Sequence, residues 1–67
     1  MEGNLDRILE FIQNRHKKGE STGPRHVHIR FDIEMARAEK ILDAFSQEDK
    51  ISKYYDKDYQ EERYLPK

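Results

Sequence analysis

No cysteine occurs anywhere in the 67 residues, so no disulfide can staple the fold and no thiolate can hold a metal or act as a nucleophile. Tryptophan is also absent, and glycine and proline number only three and two. No apolar run approaches the roughly 20 residues that a membrane-spanning helix needs. The N-terminal MEGNLDRILEF carries acidic residues where a secretory signal needs basic ones. These absences predict an intracellular, cytoplasmic protein, with nucleoid and nucleus not distinguished. A Gly-rich phosphate loop is lacking, and Ser21, Ser46 and Ser52 have no patterned His and carboxylate companions, so the expectation is no enzyme and no cofactor.

Charge of one sign is lacking too. Thirteen Lys and Arg balance fourteen Asp and Glu, and 40% of the chain is charged at a mean hydropathy of -1.18. Disordered chains share that polarity but rarely the clustered, periodic apolar residues present here. The chain is therefore read as one folded domain, residues 1–67, with an ordered core over about 5–65. At this length a single core supplies only about 3–5 kcal/mol, which favours efficient packing or self-association. Residues 1–30 hold six Lys/Arg against four Asp/Glu, and residues 31–67 seven against ten. Any anion-binding face must be local.

Asn4 suits a helix N-cap, and Leu5, Ile8, Leu9 and Ile12 follow at the spacing of one helical face. RHKK places cations where the helix dipole favours them, and Gly19 suits the stop, which predicts a helix over about 5–18. ESTGP is a loop by composition. PRHVHIRFD admits two readings. Val27, Ile29 and Phe31 alternate with polar residues as in a half-buried strand, whereas Pro24 at a first helical position would start a short helix burying Val27 and Phe31. Periodicity alone leans to the strand, on which His26 and His28 would point the same way. Without a third ligand fixed by the sequence, no metal site is assigned.

From Asp32, a possible cap, Met35, Ala38, Ile41, Leu42 and Phe45 form the clearest helical stripe. SQED breaks it. ISKYYDKDYQEERYLP then reads as two short strands, about 51–55 and 60–65, around a DKD turn. Tyr54, Tyr55, Tyr59 and Tyr64 suit a small hairpin with rings covering core at one end and reaching water at the other. Pro66 ends the second strand or lies just beyond it.

The order helix, ambiguous segment, helix, hairpin resembles the winged helix-turn-helix family. Val27, Phe31 and Ile33 match the apolar positions of its second helix and turn. Ala38, Leu42 and Phe45 match those of its third, and Ile51 begins where its first wing strand does. Two positions depart from the family pattern. Asp32 stands where glycine commonly takes a left-handed turn, and His28 stands where a small residue usually lets the helices approach. The resemblance implies an α+β fold of two to three helices with a C-terminal antiparallel hairpin, the wing. It further implies double-stranded DNA as partner, with the third helix in the major groove and the wing on the backbone. Carried over to this chain, the DNA-contacting residues would be Glu34, Arg37, Lys40 and Gln47 on the third helix, Lys53 and Lys57 on the wing, and Arg25 and Arg30 at the entry. A homodimer is expected from the small core. An acidic, tyrosine-rich wing also fits a protein partner, the second function class.

Overall fold

The computed structural model describes residues 2–67, with side chains from Leu5 onward. Three helices, α1 (Glu2–Lys17), α2 (Pro24–Phe31) and α3 (Met35–Gln47), precede an antiparallel hairpin of β1 (Ile51–Asp56) and β2 (Glu61–Pro66). This is the expected α+β class. The two strands run as expected to within a residue at each end, and Pro66 is the last residue of β2. Helix α1 begins before residue 5, and the capping role assigned to Asn4 concerns a side chain outside the described residues.

The strand reading of PRHVHIRFD is overturned. The segment is α2, started by Pro24 at its first turn and by Gly23 at the N-cap. Proline lacks the N–H that a first helical turn cannot use, and its φ is already helical. His26 adds to that start: its N–H donates to the Gly23 carbonyl, and its ring Nδ1 accepts from the Gly23 N–H. The alternation of Val27, Ile29 and Phe31 is thus no sheet pattern, since only Val27 is fully buried and Ile29 is 71% exposed. Nor do His26 and His28 point the same way. Two residues apart on a helix, they face roughly opposite sides.

All three helices stop by one device, a residue in the left-handed region whose own N–H and the N–H after it fold back onto the last turn. Gly19 (φ 82°), Asp32 (φ 57°) and Asp49 (φ 65°) occupy it. After α1, Glu20 N–H donates to Arg15 O and Gly19 N–H to His16 O. After α3, Lys50 N–H reaches Phe45 O and Asp49 N–H reaches Ser46 O, the same pair of bonds. Asp32 therefore ends α2, and the N-cap of α3 is Glu34. Asp32→Gly and Asp49→Gly should each raise stability by about 0.5–1 kcal/mol, because glycine enters this region without a Cβ penalty. Thermal melts of the single variants check this, and an unchanged or lowered melting temperature would refute it.

The core is one cluster: Ile8 and Ile12 of α1, Val27 of α2, Ala38, Leu42 and Phe45 of α3, Ile51 of β1 and Tyr64 of β2. Phe11 and Phe31 extend it edge to face, with ring centroids 5.5 Å apart. Met35, expected on the buried stripe, is 38% exposed. Only Tyr64 of the four tyrosines is buried. A further pairing ties the α1–α2 loop to the hairpin. Thr22 exchanges both backbone bonds with Tyr64, at 3.0 and 2.7 Å, and so acts as a one-residue third strand beside β2. The Thr22 hydroxyl is buried without a hydrogen-bond partner among the described residues. Thr22→Val keeps the shape and removes the unsatisfied group, so it should gain about 1 kcal/mol in urea denaturation; a loss would show that the hydroxyl is satisfied.

Candidate nucleic-acid interface

The surface to test is α3 and its surroundings. Ala38, Leu42 and Phe45 face the core, which turns Ala36, Lys40 and Gln47 directly outward, with Glu39 and Asp43 on the side toward the hairpin. The turn before α3 is held by its own side chain as well as its backbone. His28 Nδ1 donates to the Ile33 carbonyl at 2.5 Å, so the imidazole bridges the turn between the two helices. That explains how His28 is accommodated where a smaller residue was expected.

The eight residues named from the sequence do not form one strip. Arg25 lies at the start of α2, beside the cleft between the α1–α2 loop and the hairpin. Arg30 faces α1, in a groove with Arg7, Phe11 and Lys18, and its guanidinium sits 5.3 Å from the Phe31 ring centroid. Glu34 caps α3 at the turn. Arg37 flanks the groove between α3 and α1, floored by Leu9 and Ile41, and Lys40 borders the same groove from the outer row. Gln47 sits at the last turn of α3, its amide 3.4 Å from Asp43. Lys53 projects from β1 toward α3, and Lys57 occupies the exposed hairpin turn.

Electrostatics divides these groups further. Lys53 Nζ donates to Asp43 Oδ1 at 2.9 Å and lies 3.7 Å from Glu62 Oε1. The hydrogen bond to Asp43 raises the Lys53 pKa above its ordinary value, so this cation is already matched by carboxylates. Arg25, Arg30, Arg37, Lys40 and Lys57 make no ion pair among the described residues. Of the carboxylates near α3 and the hairpin, Asp43, Glu61 and Glu62 are held by Lys53 or Arg63, whereas Glu34, Glu39 and Asp58 are not. The face is mixed, with three of its carboxylates paired to cations of the same chain.

Arg63, which sequence reasoning passed over, organises the far side of the hairpin. Although only 5% exposed, its guanidinium bonds Glu61 Oε2 at 2.6 Å and Ser21 Oγ at 3.0 Å, and stacks 4.0 Å from the Tyr59 ring centroid. Gly23 makes room for it: a Cβ there would stand 3.1 Å from Glu61 Oε2 and 3.5 Å from Arg63 Cδ. Spacing alone could have found the pair, since residues 61 and 63 share a strand face.

Arg15 closes the same cleft. Its guanidinium donates to the Ser21 carbonyl at 2.7 Å and lies 3.2 Å from His26 Nε2. Burial, then Arg15 and Arg63, hold the His26 pKa below its ordinary value near 6.5. Because the folded pKa is depressed, the unfolded chain takes up the proton first. Stability should therefore be constant above about pH 7 and fall as pH drops below about 6.5. Melting temperatures across that range check this, and His26→Gln should flatten the upper part of the decline.

Comparison with protein-family models, curated proteins and solved structures gives no match. The class therefore rests on the fold itself: a small α+β domain of winged-helix shape, three helices followed by a two-stranded hairpin. No helix among the described residues is long and apolar enough to cross a membrane.

Proposed function

We propose that the chain is a winged-helix domain that binds double-stranded DNA, with the outer row of α3 in the major groove and the hairpin turn on the backbone. The observation that supports this most is the uncovered row Ala36, Lys40 and Gln47, set beside the hairpin by the turn at Asp32. Ala36 is small enough for the helix backbone to approach a groove floor. Lys40 suits guanine, Gln47 adenine, and Glu39 accepts from cytosine N4, so the face holds groups for several base edges. Phosphate contacts are few. Arg37 and Lys40 on α3 and Lys57 at the hairpin turn are the cations without an ion pair among the described residues on the elements that carry this face, which gives a logarithmic salt slope of roughly -3 per protomer. Affinity for arbitrary sequence would accordingly be low, and discrimination between sequences carries the binding.

Fluorescence anisotropy at low salt, with a randomised duplex followed by selection, tests the proposal. Lys40→Glu should weaken binding about tenfold or more. Asp43→Asn should tighten it, because it removes a carboxylate and frees Lys53. If backbone amides around Lys40, Gln47 and Lys57 stay unshifted in NMR titration with duplex, DNA is not the ligand of this face.

One observation favours a second reading. With Lys53 matched by Asp43 and Glu62, the hairpin presents Tyr55 and Tyr59, 59% and 62% exposed, amid carboxylates. Tyrosine of this kind is enriched at protein interfaces, so the hairpin fits a protein partner, and unshifted amides with DNA would leave that reading standing.

A further inference from the structure

Helix α1 buries Ile8 and Ile12 completely, yet Leu5, on the same stripe, is 39% exposed. The reason is an open groove. Between the first turns of α1 and the outer flank of α3, Leu5, Leu9, Ile41 and Ala44 border a depression of about 540 Å3 that no other described residue fills. Its two rims differ in sign. Asp6 stands on the α1 side and Arg37 and Lys40 on the α3 side, with Glu48 and Lys50 paired to each other beyond them. Asp6, Arg37 and Lys40 make no ion pair among the described residues.

We infer that this groove is the interface of a homodimer, filled by α1 of a second copy. A two-fold interface must be self-complementary: each contact between residues i and j occurs twice, with the roles exchanged. A groove with rims of one sign would repel its copy. Here a second α1 laid antiparallel along the first sets its Leu5 and Leu9 over Ile41 and Ala44. The same placement brings Asp6 of each copy against Arg37 of the other. Both apolar rows are covered, and Asp6 and Arg37 find partners across the two-fold axis. Lys40 borders the groove from the outer row of α3, so it lies at the edge of this interface.

A core with eight buried hydrophobic side chains among the described residues also gains from the added burial, since a domain of this size has little stability to spare. The inference stands apart from DNA binding, because it is read from mass and not from affinity for a duplex. In the DNA reading it would supply a second α3, and paired half-sites offset a weak phosphate contribution.

Sedimentation equilibrium of the whole chain, from micromolar to near-millimolar concentration, is the test. The expected result is a monomer–dimer equilibrium. Leu5→Glu, at the interface centre, should weaken it by about 30-fold or more. Asp6→Arg and Arg37→Asp should each weaken it about three- to tenfold, and the two together should recover most of the loss. Circular dichroism separates dissociation from unfolding; if Leu5→Glu unfolds the chain, the charge exchange alone decides. A monomer at every concentration overturns the inference. So does a dimer indifferent to Leu5 and to the charge exchange, or one that Ile29→Ser weakens instead.

Discussion

Glu61→Ala is expected to cost about 2–4 kcal/mol, far more than the loss of an ordinary surface glutamate. Glu61 is itself one-third exposed, but its partner Arg63 is not: the guanidinium side chain is 7% exposed, beneath Tyr59 and against Ser21. Removing the carboxylate leaves that charge out of water with only neutral company. Arg63→Met should cost less, because the orphaned Glu61 can turn to solvent while methionine refills part of the space. The double variant should recover much of the Glu61→Ala loss, since replacing both members of a buried pair by apolar groups is often close to neutral. In a domain this small each kcal/mol moves the midpoint by about 4–8 °C, so Glu61→Ala should melt roughly 10–25 °C below the parent. If it melts with the parent, or if the double variant is worse than either single one, the pair is not what fastens the hairpin to the α1–α2 loop.

The same pair shows where sequence reading stopped. Periodicity located α1 and α3, because each buries a regular row, Ile8 and Ile12 in the first and Ala38, Leu42 and Phe45 in the third. The strands bury little beyond Ile51 and the adjacent Arg63 and Tyr64, and were legible from their β-branched and tyrosine residues around a DKD turn. Periodicity misread α2, where eight residues hold barely two turns and three apolar residues at alternate positions imitate a strand. Pro24 and the His26–Gly23 exchange of bonds decide that segment, and only the proline was legible beforehand. The resemblance in apolar spacing carried the correct answer, because Val27 and Phe31 at four-residue spacing fit a second helix whatever lies between them. Site residues were harder to read. Arg30, Arg37 and Lys53 are cations of the expected type on or beside the expected elements, but orientation within a turn of helix sends each to a different neighbour. Arg30 meets Phe31, Arg37 faces the α1 groove, and Lys53 is matched by Asp43. Residue type and element do not fix that outcome. Glu39, absent from the sequence-based set, enters through exposure alone.

The core substitution with the largest expected effect is Leu42→Ala. Leu42 is fully buried at the middle of α3, a turn from both Ala38 and Phe45, where the third helix meets the rest of the core. Truncation removes the transfer energy of three carbons and leaves a cavity that the rigid helix cannot collapse around, together about 2–5 kcal/mol. The whole domain commands only about 3–5 kcal/mol, so much of the variant should be unfolded at 25 °C, with the circular dichroism signal rescued by osmolyte. Leu42→Met, nearly equal in volume, should cost less than about 1.5 kcal/mol and keep the fold. The contrast bears on function because α3 has no independent stability: thirteen residues are marginal as an isolated helix in water. Leu42→Met should therefore retain any duplex-induced amide shifts at Lys40 and Gln47, and Leu42→Ala should lose them in proportion to its unfolded fraction. A Leu42→Ala protein that stays folded with a loss under 1 kcal/mol would mean that α3 is seated by its flanks and not by this row. The outward placement of Ala36, Lys40 and Gln47 would then have to be reassigned.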